Sequence, residues 1–123
     1  WQGYEGQDLD VIVDLGKEMR VDSIQVNFLF DQKSWIFLPA SIGASVSNDP
    51  EFNQAEVHIN MRDSNYNPLN SDPFILHEKF GINERGRYVR IKAVNIGTCP
   101  EGHAGEGKPA WLFADEITIV TKK

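Results

Sequence analysis

The stretch Ile24-Gln25-Val26-Asn27-Phe28-Leu29-Phe30 alternates large apolar residues with residues that are mostly polar. Successive side chains of a β-strand point to opposite faces, so one face of this stretch carries the four large side chains from Ile24 to Phe30. Leu29 adds an apolar side chain to the other face. The stretch is therefore predicted to be a largely buried strand.

Other runs on both sides repeat this period of two. They are separated by Gly, Pro, Asn, Asp and Ser, the residues that favour turns. The predicted strands are residues 9–15, ended by Gly16 and Lys17, then residues 42–46, 74–80, 88–94 and 111–120, with loops predicted at residues 60–73 and 97–109. No segment has a sustained helical period with caps. The pattern predicts an all-β fold, an antiparallel β-sandwich or barrel.

Length and composition predict one domain covering residues 1–123. The chain is 41% hydrophobic, which is enough for one core, and its formal net charge is −6. An acidic domain lacks the basic surface that binds nucleic acid, so no nucleic-acid partner is expected. No apolar run approaches the ~20 residues that span a bilayer, so no membrane insertion is expected. The single cysteine, Cys99, excludes an intrachain disulfide and a thiolate metal cluster.

Several motifs, taken in order, resemble one family. They are Trp1-Gln2-Gly3-Tyr4-Glu5-Gly6, Val13-Asp14-Leu15-Gly16-Lys17, Val21-Asp22-Ser23-Ile24, Trp35-Ile36-Phe37-Leu38-Pro39, Val46-Ser47-Asn48-Asp49-Pro50, Gly86-Arg87-Tyr88-Val89-Arg90-Ile91-Lys92-Ala93 and Ala110-Trp111-Leu112-Phe113-Ala114-Asp115-Glu116-Ile117. Together they resemble discoidin-like domains, also called coagulation factor five/eight type C domains. The last motif resembles the version appended to bacterial β-N-acetylhexosaminidases of chitobiase type, frequent in gut Bacteroidetes.

The resemblance implies a jelly-roll β-sandwich of the galactose-binding type. It implies a non-catalytic carbohydrate-binding module that holds the catalytic domain of the same polypeptide near glycans with terminal galactose or N-acetylhexosamine. The family has a further strand before the position of Trp1, so the resemblance implies that the first strand is lacking here. Eukaryotic members usually carry a disulfide, which this chain with its single cysteine cannot form. The resemblance therefore favours a bacterial member that is periplasmic, on the outer-membrane surface or secreted.

Five residues are candidates for contacting a sugar, because a sugar site needs an aromatic face and a few polar groups on end loops. Trp35 would be a stacking platform or part of the core, and Tyr66 a platform or a loop anchor. Glu101 and His103 lie in the glycine-rich loop through which the family often binds sugar, or this loop is a flexible connection. Arg62 would reach a hydroxyl group or remain solvated.

Metal ligation is predicted only through the resemblance. The three histidines lack the spacing of a zinc site. The run Asp63-x-Asn65-x-Asn67 begins like a calcium loop, but Pro68 stands where glycine is required. The family, however, holds a structural calcium ion through a Glu in its final strand, and Glu116 resembles that residue, with the Asp115 carbonyl group beside it. A hydrogen-bonded Glu is the alternative.

Enzymatic activity in the chain itself is not expected. Glycosidases need two carboxylates facing each other, whereas Asp8, Asp10 and Asp14 share one face of one strand. Glu101 and Glu106 share one loop, and no nucleophile or phosphate motif is present. The alternative to a sugar-binding module is an accessory domain that packs against the catalytic domain without a sugar site. Membrane-lipid or protein recognition ranks last, because the long loops are acidic or polar.

Overall fold

The fold is that of a computed structural model, which describes residues 1–61 and 66–122. These residues form seven β-strands and one turn of 3-10 helix, Gln32–Ser34, and no α-helix is found among them. The strands are β1 (Gln2–Glu5), β2 (Leu9–Phe30), β3 (Ser41–Ser47), β4 (Val57–Met61), β5 (Phe74–Val94), β6 (Trp111–Ala114) and β7 (Thr118–Lys122). All pairs between these strands are antiparallel, which confirms the predicted all-β class.

Two long strands, β2 and β5, pair with each other from end to end. The pairing runs from Leu9 opposite Ala93 to Phe30 opposite Phe74. The prediction that Gly16 ends a strand is wrong, because β2 continues through it with a φ of 88°. Register shifts in this region let the strands bend without breaking, which is how β-bulges act.

The remaining strands join different halves of this pair of strands. The strands β3 and β4 extend the second half of β5, whereas β6 and β7 pair with the second half of β2, and β1 pairs with β6. Ile24 and Phe28 from β2 share one buried cluster with Val89 and Ile91 from β5. The two halves thus face one apolar core, as in a β-sandwich; the jelly-roll connectivity stays a prediction.

The alternation along β2 is confirmed by burial. Ile24, Val26, Phe28 and Phe30 are each at most 1% exposed, while Gln25 is exposed. Burying a side chain of this kind stabilises the fold by about 1.5–3 kcal/mol. This row of side chains therefore anchors the centre of the sandwich.

The strands differ from the prediction in further respects. Residues 74–80 and 88–94, predicted as two strands, belong to the single strand β5. The strands β1 and β4 were not predicted, and each lies at an edge of the sheet. The predicted last strand, residues 111–120, is divided into β6 and β7 by residues 115–117. At this division the Asp115 amide donates to the carbonyl oxygen of Asn27 at 2.9 Å, which keeps the connection against β2.

A buried amide joins the start of the chain to the loop after β5. Asn95 is 9% exposed, and its side-chain nitrogen lies 3.1–3.2 Å from the carbonyl oxygens of Tyr4, Gln7 and Ala110. Its backbone amide donates to Oδ1 of Asp8 at 2.8 Å. Since buried polar groups are costly when unpaired, Asn95 holds three otherwise separate segments in one arrangement.

Candidate functional site

Three segments meet where β2 ends and where β5 and β6 begin: residues 31–40, 66–73 and 95–110, together called the loop end. The first segment is joined through the backbone to Trp111, the first residue of β6, which directly follows the third segment. Phe37 donates its amide to the carbonyl oxygen of Trp111 at 3.0 Å, and Trp111 donates to that of Trp35 at 2.9 Å. The loop end is therefore held by hydrogen bonds of the sandwich itself.

Trp35 occupies a constrained backbone position in the loop end. It follows the 3-10 turn Gln32–Ser34, and its amide donates to the carbonyl oxygen of Gln32 at 3.1 Å. Its φ of 64° is in the left-handed region, which costs about 1–3 kcal/mol in a residue other than glycine. Its side chain is half-buried. From the sequence, Trp35 could be either a stacking platform or part of the core. The ring lies between these two alternatives, because it packs against the core and remains partly exposed.

His103 lies behind Trp35, and its ring nitrogens are both engaged. The side chain is 8% exposed. Nδ1 accepts the Gly105 amide at 2.9 Å, so Nε2 carries the proton and donates to the carbonyl oxygen of Gln32 at 2.7 Å. The edge of the imidazole contacts Trp35, with ring centres 6.2 Å apart. A sugar contact through a ring nitrogen would require one of these bonds to break, so His103 positions the loop and Trp35.

Tyr66 belongs to the same aromatic group. Its ring packs edge-on against Phe30 at 4.9 Å and Phe74 at 5.7 Å, measured between ring centres. Phe30 in turn contacts Phe37 at 6.2 Å, and Phe37 contacts His103 at 5.1 Å. A continuous series of ring contacts therefore connects Tyr66 to Trp35, two residues that the sequence proposed separately.

Of the two remaining polar candidates, Glu101 and Arg62, only Glu101 belongs to the described residues. Glu101 is exposed, two residues before His103. Glu106, which was not predicted as a sugar ligand, is also exposed and accepts the amide of Gly102 at 2.8 Å. Arg62 lies outside the described residues. Two carboxylates thus border the loop that carries the buried imidazole.

The predicted calcium ligands, Asp115 and Glu116, lie at a cavity and not among the loop-end residues. Asp115 and Glu116 line a cavity of about 400 Å³, together with Trp1, Tyr4 and Val11. Oδ1 of Asp115 accepts the amide of Glu116 at 2.7 Å. Calcium takes 6–8 oxygen ligands, and these two residues supply only part of that number. The calcium ion therefore stays a prediction.

A histidine–carboxylate group was missed in the sequence. Ligand atoms of Glu56, His58 and Glu84 lie within 4.8 Å of one another. Nε2 of His58 is 2.5 Å from Oε1 of Glu84, and each side chain is 27% exposed. Residues 56 and 84 are far apart in sequence, so no local spacing could have indicated the group. The hydrogen bond between His58 and Glu84 accounts for this geometry, and within the described residues no further observation points to a metal there.

Two acidic residues of β2, Asp10 and Asp14, are paired with arginines and not with each other. Asp10 accepts two bonds from Arg90, at 2.9 and 2.6 Å, and Asp14 accepts two from Arg87, at 2.8 and 2.9 Å. The hydrogen bond from Arg90 lowers the pKa of Asp10. The bond from Arg87 and the Gly16 amide lower the pKa of Asp14 to about 2. Both carboxylates are therefore held in the charged form.

No protein-family model matches the chain, and no curated protein matches it. The membership of the discoidin-like family therefore stays a prediction from the motifs. Within residues 1–61 and 66–122, no helix has the length and apolar character that crossing a membrane requires.

Proposed function

We propose that this domain is a non-catalytic carbohydrate-binding module that binds terminal galactose or N-acetylhexosamine at the loop end. The observation that carries the proposal is the position of Trp35. Its half-buried ring is backed by Gly105 and by the edge of His103, and the exposed Glu101 belongs to the same loop as these two residues. A fixed aromatic ring suits the apolar C–H face of a pyranose, and the polar groups beside it suit the hydroxyl groups of the sugar.

The physical advantage of this arrangement is that little has to be ordered on binding. The apolar C–H face of a pyranose stacks on an aromatic ring, and carboxylates accept hydrogen bonds from its hydroxyl groups. Because a monosaccharide offers few atoms, affinity is expected between about 10 μM and millimolar. Such weak binding still raises the local substrate concentration for a glycoside hydrolase domain in the same polypeptide, here a β-N-acetylhexosaminidase.

Titration of galactose, N-acetylglucosamine and N-acetylgalactosamine into the isotope-labelled domain tests the proposal by NMR. We expect saturable shifts of the Trp35 indole and of the amides of residues 101–106 with at least one sugar. Trp35→Ala should abolish them. The matched control is Trp1→Ala, since Trp1 is 55% exposed and lines the cavity near Glu116. Unchanged spectra with all three sugars at tens of millimolar would contradict the proposal.

A second candidate function, packing against a neighbouring domain, has its own supporting observation. Ile12, Val57 and Ile59 are 50%, 54% and 61% exposed. Ile12 pairs with Arg90, which pairs with Ser45, which pairs with Val57, so exposed apolar side chains occur at both ends of one row across the sheet. Exposed apolar surface on one sheet face is typical of an interaction surface.

Hydrogen exchange distinguishes the two functions. If this face is covered by the catalytic domain, the amides of β4 should exchange more slowly in the complete polypeptide than in the isolated domain. Equal exchange in both forms would contradict the packing function and leave the sugar titration unaffected.

A further inference from the structure

Three cations lie side by side across three strands at the far end of the sandwich. Arg20 on β2 is directly opposite Arg85 on β5 and also opposite Lys122 on β7. All three side chains are exposed. Like charges directly opposite each other on a sheet are destabilising, so this row needs compensation.

The compensation within the protein is incomplete. Arg20 donates from Nε to Oδ1 of Asn83 at 2.8 Å, and that partner is neutral. Arg85 is 3.8 Å from Glu18, near the limit for an ion pair, and both side chains are about half exposed, at 58% and 48%. Such exposed pairs contribute little.

Lys122 and Lys17 are the other two cations at this end of the sandwich. Lys122 is 3.5 Å from Asp22, with 62% of its side chain exposed. Lys17 forms no ion pair with any residue in the described part of the chain. Four cations therefore face the two carboxylates of Glu18 and Asp22, a local positive excess in a chain whose net charge is −6.

A cavity lies within this cationic cluster. Its volume is about 350 Å³, and it is lined by Lys17, Glu18, Met19, Arg85 and Lys122. Three of the five lining residues are cations, and Met19 adds an apolar surface. Lysine and arginine are the side chains that recognise oxyanions, as point charges and as planar forks of donors respectively.

We infer that this cavity binds the oxyanion of a sulfate or phosphate ester, held by Lys17, Arg85 and Lys122. The anion adds to the incomplete compensation of Arg85 and Lys122, the two cations of the row that line the cavity. The cavity exceeds the volume of one oxyanion, so the group that carries the ester packs on Met19. Ten residues of β2 separate Arg20 from Phe30, about 33 Å of strand, so this site is distinct from the loop end and does not depend on the proposed sugar site.

Titration of sodium sulfate and of sodium phosphate into the labelled domain, at constant ionic strength set with sodium chloride, tests the inference by NMR. We expect saturable shifts of the amides of residues 17–20, 85 and 122 at millimolar anion, with the loop-end amides unchanged. The double variant Lys17→Gln/Arg85→Gln should bind at least tenfold more weakly. Lys79→Gln is the matched control, because Lys79 is an exposed cation of the same strand, β5, outside the cavity.

The two anions distinguish the source of the ester. Tighter binding of sulfate indicates a sulfate ester, and tighter binding of phosphate indicates a phosphate ester, and either supports the site. Shifts that do not saturate, or a double variant that binds as tightly as Lys79→Gln, would overturn it. All three substituted side chains are exposed, so circular dichroism should show unchanged folding of both variants.

Discussion

The backbone of Gly105 lies directly against the indole ring of Trp35: a Cβ atom at Gly105 would be 2.8 Å from Cε2 and 2.9 Å from Cζ2 of that ring. Real Cβ atoms essentially never come within 3.0 Å of a neighbouring heavy atom, so only glycine fits at position 105 without movement. The contact joins two loops that are 70 residues apart in the chain. It makes the position of Trp35 dependent on the loop at residues 97–109.

Gly105→Ala should displace the Trp35 ring. Overpacking of this kind costs about 1–3 kcal/mol, so we expect a lower free energy of unfolding in urea and a sugar affinity at least tenfold weaker. The control is Gly81→Ala, because a Cβ at Gly81 meets nothing within 4 Å. Equal affinities of the two variants in the NMR titration would contradict the role given to this contact.

His103→Ala should destabilise the loop end. It leaves the buried amide of Gly105 without its partner, at about 1–3 kcal/mol for an unsatisfied group, while the carbonyl oxygen of Gln32 loses one of its two donors and keeps the Trp35 amide. His77→Ala is the control, since His77 is exposed and should change stability by no more than about 0.5 kcal/mol. Urea unfolding of both variants measures the difference, and similar midpoints would refute the positioning role.

Asn95→Ala should be the most destabilising of these substitutions. It removes a donor to the carbonyl oxygens of Tyr4, Gln7 and Ala110 and the acceptor of the Gly97 amide; the Ala110 oxygen keeps the Gly6 amide, but the other groups lose a bond together, so the loss should exceed about 3 kcal/mol. Asn48→Ala, which removes one exposed bond to Glu18, is the matched control. Thermal unfolding followed by circular dichroism checks the order, and a melting temperature for Asn95→Ala as high as that of Asn48→Ala would be the contrary result.

The ion pair of Asp14 with Arg87 should make the stability of the fold depend on pH in the acid range. The pKa of Asp14 is lowered from 3.8 to about 2 in the folded protein. A depressed folded-state pKa means that the contribution is complete above about pH 4 and is lost as the pH falls towards 2. Asp14→Asn should therefore flatten the fall of melting temperature between pH 4 and pH 2.

Salt provides the control for this prediction. The pair is exposed, so the difference between wild type and Asp14→Asn should shrink in 1 M sodium chloride, where the screening length is about 3 Å. Parallel pH profiles of the two proteins at low salt would show that the pair does not act in this way.

The sequence predicted which segments are strands better than where the strands end. Alternation of Ile24 to Phe30 is a local property of neighbouring residues, so it could be read without the fold. Whether Gly16 interrupts a strand depends on the partner, since β5 continues alongside and a register shift accommodates the glycine. The strand β1 has only four residues, too few for a pattern, and pairs with β6. The strand β4 does alternate apolar and polar residues, a strand signal that the prediction did not use, and it pairs with β3.

The candidate residues divide in the same way. Trp35 and Tyr66 could be selected from the sequence because aromatic residues stand out in polar loops, and His103 because its ring can donate or accept a hydrogen bond within a glycine-rich loop. Their connection through ring contacts, the burial of His103 and the glycine behind Trp35 result from loops brought together by hydrogen bonds between distant segments. The row of Arg20, Arg85 and Lys122 likewise exists only through strand register. The alternation of side chains along a strand is set by neighbouring residues and can be read from the sequence. The distance between residues far apart in the chain is set by strand pairing and loop contacts, which only the folded chain specifies.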